Sequence, residues 1–193
     1  MKIILASQSP RRKALLEQMG IKDYEVIVSQ ITEKMSPNLE KEEQVKQLSY
    51  QKAKVVFDQT KGDRIVIGAD TIVEKDNRIY GKPKDREEAQ TMLKQFENSK
   101  VNVITGMTVL MQKQGEKIEQ IDSTITEIYI KYMTEEEIEK WIDTGKAMDK
   151  AGAFSTQEEF CVYIEKIVGD YNAAIGLSTS KLYDIISKIG GKI

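Results

Sequence analysis

The sequence predicts a mixed α/β fold, a β-sheet covered by helices. Short apolar runs alternate with helically spaced apolar stripes along the whole chain. Two long β-patterned runs, Val101–Gln112 and Ile118–Tyr132, adjoin in the middle with Gly115 between them. No internal repeat and no Pro/Ser-rich linker interrupts the pattern, so no sharp domain boundary is placed. The 193 residues, 40% of them hydrophobic, suffice for a core without metal or disulfide staples.

Each element has a local reason. Lys2–Ala6 reads as a buried strand. Ser9-Pro10 follows as N-cap and first helical residue; Ala14, Leu15 and Leu16 give the apolar face, and Gly20 ends the helix. Tyr24–Val28 is a second strand. Ser36-Pro37 marks the start of a helix running to about Phe57, with Val45, Leu48, Ala53, Val56 and Phe57 as its stripe. Arg64–Val73 is a strand rich in Ile and Val, separated by Asn77 from a small strand at Arg78–Tyr80. Asp85 to Glu88 has the form of a capping box before a helix lined by Ala89, Met92, Leu93 and Phe96. Thr134 to Glu137 is a second capping box, with Ile138, Trp141 and Ile142 on the inner face and Gly145 at the end. Phe160–Val168 reads as a strand. A last helix follows Ser178 through Leu182, Ile185, Ile186 and Ile189, closed by Gly190-Gly191.

Composition excludes several functions. There is no histidine, so a Ser-His-Asp triad, a Cys-His dyad and His-ligated zinc are ruled out. Cys161 is the one cysteine, so no internal disulfide forms and a reducing compartment fits. The formal charge of −2 argues against coating nucleic acid or an anionic membrane. No apolar run approaches the roughly 20 residues of a spanning helix, and the N-terminal run is too short for a signal peptide. The expectation is a soluble, cytoplasmic protein with no nucleic-acid or membrane partner. Neither a G-x-x-x-x-G-K-[ST] loop nor a G-x-G-x-x-G fingerprint occurs.

Four segments place reactive side chains at strand ends or helix starts, where open α/β sheets bind ligands. In Ser7-Gln8-Ser9-Pro10-Arg11-Arg12, two hydroxyls and two guanidiniums meet a helix N-terminus suited to an anion; an ordinary cap followed by solvated arginines reads the same residues. In Gly68-Ala69-Asp70-Thr71, a carboxylate interrupts an apolar strand, which is costly without a partner, a metal or solvent; an exposed turn is the alternative. In Gly81-Lys82-Pro83-Lys84-Asp85, a lysine held between Gly and Pro can serve as a phosphate point charge, or the loop is only a turn. Lys52 is a weaker candidate of the same kind. Around Ala151-Gly152-Ala153-Phe154-Ser155-Thr156-Gln157 and Gly169-Asp170-Tyr171-Asn172, small residues let backbone approach a flat ligand and Gln157 can pair with a base edge; the alternative is a loop needing glycine for its φ angles.

Together these segments resemble the Maf family of nucleoside triphosphate pyrophosphatases, first named for septum formation inhibition. The carriers are LASQSPRR at 5–12, Thr32-Glu33, QKA at 51–53, IGADT at 67–71, GKPKDREEA at 81–89, VITG at 103–106, DKAGAF at 149–154 with Gln157, and GDYNAAIGL at 169–177. The resemblance spans nearly the whole chain and implies one domain over residues 1–193. It implies an elongated mixed sheet in two lobes with a central cleft, similar to the inosine triphosphate pyrophosphatases. It further implies hydrolysis of a nucleoside triphosphate to monophosphate and pyrophosphate with Mg²⁺ or Mn²⁺, as house-cleaning of nucleotide pools. A homodimer is compatible with it. Asp70 stands at the family's proton acceptor, and Arg11, Thr71 and Gln157 stand where substrate choice is made. Arg11 points to dTTP and UTP.

The expected roles follow. Ser7, Ser9, Arg11, Arg12, Lys52 and Lys82 hold phosphates, Thr71 and Gln157 contact substrate, Glu33 and Asp70 hold the cation, and Asp70 readies the attacking water. Turnover of modified purine triphosphates, and a nucleotide-binding cell-division regulator with little turnover, are the competing readings. The chain departs from the family pattern where Gln157 is followed by Glu158-Glu159 instead of glycine, and where Gly145 is followed by Lys146 instead of an acid. Two carboxylates there would oppose a polyanion unless they point outward or bind metal.

Overall fold

A computed structural model describes residues 1–29, 36 and 38–189. Glu33, with Thr32, Pro37 and the Gly190-Gly191 pair, lies outside the described residues. The elements are β1 (Lys2–Leu5), α1 (Pro10–Gln18), β2 (Glu25–Val26), α2 (Lys41–Gln59), β3 (Arg64–Lys75), β4 (Arg78–Tyr80), α3 (Arg86–Phe96), β5 (Ser99–Lys113), β6 (Glu116–Ile130), α4 (Glu135–Asp143), β7 (Ile164–Val168), α5 (Tyr171–Ile175) and α6 (Thr179–Lys188). Three short 3₁₀ helices, Lys146–Asp149, Ala151–Ala153 and Glu158–Tyr163, lie between α4 and β7.

The seven-stranded sheet has the order β2-β1-β3-β5-β6-β7, with β4 on β3. β1 runs parallel to β2 and β3, whereas β4 and β7 are antiparallel to their neighbours. The sheet is therefore mixed, as the sequence predicts. Among the described residues no helix is long and apolar enough to cross a membrane.

The chain forms two compact units. The first comprises 1–70, 105–124 and 172–193; the second comprises 71–104 and 125–171.

In the first unit, the alternation of β3 sorts its side chains. Ile65, Ile67 and Ala69 face a core shared with Leu15 and Leu16 of α1 and Leu182 and Ile186 of α6. Val66 faces the other core, with Ala53, Val56 and Phe57 of α2. Burial on both faces explains the consecutive apolar residues Ile65, Val66 and Ile67. The junctions are locally encoded. Ser9 caps α1, its side chain accepting from the Arg12 N–H. At the other end, Ile21 N–H donates to Leu16 O (3.0 Å) and Gly20 N–H to Glu17 O (2.9 Å), a Schellman motif with Gly20 at φ +85°.

The second unit is built on α3, α4 and an aromatic cluster. Tyr80 and Phe96 meet edge to face at 4.8 Å, and Trp141 lies 5.3 Å from Phe160. The Trp141 indole donates to the Ala153 carbonyl (2.8 Å). The box at Thr134 and Glu137 is complete.

Several expectations need correcting. β2 is only two residues long. α2 begins at Lys41, later than expected, and Leu39 N–H donates to Ser36 O (3.1 Å) ahead of it. Glu42 and Glu43 suit the first turn at Lys41. Asp85 caps α3 as expected, but the Glu88 carboxylate reaches past it to accept from Lys84 N–H (2.7 Å). Phe160 belongs to a 3₁₀ helix, and its strand starts only at Ile164.

Candidate active site

Asp70 follows from the register of β3. Val66 fixes the α2-facing side, so Gly68 and Asp70, two and four residues on, face α2 as well. Lys52 on α2 meets it there, its ammonium 2.5 Å from Asp70 Oδ1, with both side chains largely buried (14% and 12% exposed). A lysine is thus a partner of this strand-buried carboxylate.

Two glycines set the approach of α2. A Cβ on Gly68 would collide with the Ser49 carbonyl and the Ala53 side chain, and one on Gly106 with the Val45 backbone. The buried hydroxyls of Ser49 and Thr108 bond across the same contact (2.8 Å). Nothing in residue spacing signals these close approaches beyond glycine in a strand.

The β1–α1 junction gathers the hydroxyls. Ser9 N–H donates to Ser7 Oγ (3.2 Å), and Arg12 Nη1 donates to the same oxygen (3.0 Å). Arg12 Nε donates to the Gly176 carbonyl (2.9 Å). Arg12 therefore ties the S-x-S turn to the chain after α5, a link that the sequence does not signal because the two positions are 164 apart. Thr105 adds a second tie, donating to Ala173 O (2.7 Å). Arg11 is half-buried at the first turn of α1.

In the second unit, Lys82 lies in the loop after β4. Its ammonium is 2.5 Å from Asp149 Oδ1, with both groups exposed. Gly152 N–H donates to Gly81 O (2.9 Å), so the two loops are joined by backbone as well. Gly152 has φ +68°, and a Cβ there would press on Phe96, Phe154 and Val73. Thr71 is the next β3 residue after Asp70. Gln157 is extended, and its N–H donates to Ser155 Oγ (3.1 Å). The two extra carboxylates beside it are paired: Glu158 with Lys150 at 3.1 Å and Glu159 with Lys146 at 2.7 Å. The Lys146–Glu159 contact lowers the Glu159 pKa and raises that of Lys146 through their hydrogen bonds.

No group of three or more His, Cys, Asp or Glu gathers to hold a metal among the described residues. Asp70 supplies the hard oxygen donor that Mg²⁺ or Mn²⁺ prefers, and Mg²⁺ commonly takes one or two carboxylates plus substrate phosphates.

Hydroxyls and arginines after β1, with a lysine-bound carboxylate in the neighbouring strand β3, thus sit within a mixed α/β sheet protein. The chain belongs to the Maf family: the profile described as "Maf-like protein" matches residues 2–189. It is 43% identical over 187 residues to a dTTP/UTP pyrophosphatase of Alkaliphilus metalliredigens (strain QYMF), covering 97% of this chain and 95% of that protein. It is 46% identical over 180 residues to a dTTP/UTP pyrophosphatase of Alkaliphilus oremlandii (strain OhILAs), covering 93% and 92%. A solved nucleoside-triphosphatase / dITP/XTP pyrophosphatase from Mycobacterium abscessus is 16% identical with a TM-score of 0.43, covering 67% of this chain and 74% of that one.

Proposed function

We propose that this chain hydrolyses dTTP and UTP to the nucleoside monophosphate and pyrophosphate. The observation that carries the reading is the Lys52–Asp70 pair, a carboxylate set in an apolar strand and held by a cation. The relatives named dTTP/UTP pyrophosphatase, matched over nearly their full length, supply the substrate class.

A triphosphate carries about four negative charges at neutral pH, so catalysis is mainly positioning and neutralisation. Ser7, Ser9, Arg11 and Lys82 bind phosphate oxygens. Arg12 shares that task while holding Ser7 in place. Lys52 orients Asp70, and Asp70 accepts the proton of the water that attacks the α-phosphorus in line. Thr71 and Gln157 contact the nucleoside. Asp70, with Glu33, would hold the divalent cation; when bound, it neutralises phosphate charge and makes a coordinated water more acidic. The cell's nucleotide pool in the cytoplasm is the setting.

The test is a panel of UTP, dTTP, CTP, purine and modified purine triphosphates with Mg²⁺ or Mn²⁺, scored for pyrophosphate and monophosphate. Pyrophosphate from UTP and dTTP is expected. Turnover of purines alone, or binding without product, overturns the reading.

A further inference from the structure

Glu158 has φ +61°, a left-handed conformation that disfavours any residue with a Cβ other than Asn or Asp. Glycine would suit that position better, so glutamate there needs a compensating contact. Its carboxylate lies 3.1 Å from the ammonium of Lys150, a side chain only 9% exposed. The Lys150 ammonium also donates to the Lys146 carbonyl (3.3 Å) and lies 6.0 Å above the Trp141 ring. Lys146 in turn binds both carboxylate oxygens of Glu159 (2.7 Å each). Two neighbouring carboxylates thus grip one 3₁₀ segment, Lys146–Asp149, and the lysine that follows it.

The two glutamates that make these contacts directly follow Gln157 in the chain, so the contacts tie down the turn that carries it. On its N-terminal side the Gln157 N–H is fixed by the Ser155 hydroxyl, and Ser155 is buried. On its C-terminal side come the strained Glu158 and its ion pair, and then the fully buried Phe160. With both flanks anchored, the extended backbone of Gln157 is held in one arrangement before any ligand arrives. Pre-ordering of this kind lowers the entropy lost on binding.

We propose that Glu158 is a positioning residue for nucleobase selection: its ion pair with Lys150 locks the turn that presents Gln157. This rests on the reading that Gln157 meets the base. Gln157 offers both a carbonyl acceptor and an amide donor, so a fixed orientation distinguishes the keto edge of UTP from the amino edge of CTP. A mobile turn lets the amide rotate and blurs that distinction.

The experiment compares UTP and CTP kinetics in the unaltered chain, Glu158→Gly, Glu158→Gln and Lys150→Gln, with thermal midpoints. Glu158→Gly removes the backbone strain together with the ion pair, so its midpoint should hold or rise. Its KM for UTP should nevertheless rise about threefold to tenfold with kcat within about twofold, the size expected for a partly exposed charge-assisted contact. The UTP-to-CTP ratio of kcat/KM should fall by a similar factor. Glu158→Gln and Lys150→Gln should reproduce the fall. A Glu158→Gly enzyme that keeps its UTP preference, or that loses UTP and CTP turnover equally in step with its midpoint, overturns the assignment while leaving the proposed activity intact. Failure of the unaltered chain to turn over any nucleotide overturns both.

Discussion

Lys52 and Asp70 meet at 2.5 Å because α2 presses on β3 where Gly68 has no side chain. The lysine comes from the helix face and the aspartate from the strand face, and the glycine between them lets the two backbones close. Removing one half of such a shielded pair takes a charge-assisted contact from the other, which costs up to about 3–5 kcal/mol for a fully buried pair and less for one with this residual exposure.

Asp70→Asn should therefore fold with reduced stability and lose pyrophosphate release by ~10²-fold or more, the range for a positioned general base. Steady-state kinetics beside urea denaturation separate the two effects. Activity kept near the unaltered level would remove Asp70 from catalysis.

Gly106→Ala should destabilise the first unit although it adds a single methyl. The new carbon meets the Val45 backbone, which cannot rotate away as a side chain would. Overpacking of this kind costs about 1–3 kcal/mol. Differential scanning calorimetry should register the drop, and activity should fall with it as Lys52 is displaced from Asp70.

Arg12→Lys should raise KM for the nucleotide more than tenfold. Arg12 reaches Ser7 and Gly176 with two nitrogens of one planar fork, and lysine has only one. An enzyme with unchanged KM would show that bridging these two segments is dispensable.

Thr134→Ala should cost about 1 kcal/mol by deleting the hydroxyl that accepts from the Glu137 N–H at the start of α4. Chemical denaturation measures it, and Thr134→Ser should restore most of the loss.

Acid should weaken the fold through paired glutamates. Glu135 and Glu159 have pKa values below the ordinary 4.5 because Lys94 and Lys146 hydrogen-bond their ionised forms. Their contribution is present above the ordinary glutamate value and fades as pH falls through the lower folded-state values. The lysine partners lie above 10.5, so their share is full below that value and fades only as pH climbs past it. Urea midpoints across the acid range should fall, and added salt should flatten the trend.

Local signals were the readable ones. Ser9, Asp85, Thr134 and Ser178 all cap the helices that their sequence context assigns to them. The apolar run of β3 identified a buried strand, and Asp70 within it identified a site candidate. The start of α2 at Lys41 carries no such local mark, because it lacks a side-chain cap. Contacts between distant segments were not readable. Lys82 with Asp149, Arg12 with Gly176 and Lys146 with Glu159 follow from how loops return to one another, and residue types alone do not specify such partners. The Glu158-Glu159 departure was visible as charge, but its neutralisation by two lysines was not.

The two-residue repeat of β3 makes its length inflexible. One residue inserted or deleted between Val66 and Asp70 would turn the carboxylate toward α1 and α6 and bring, respectively, the preceding or the following neighbour round to Lys52. Drift in this stretch is therefore confined to like-for-like exchange of side chains. Changes of chain length are tolerated only further along, at hairpins such as Asp76-Asn77, where the strand has already delivered its acid.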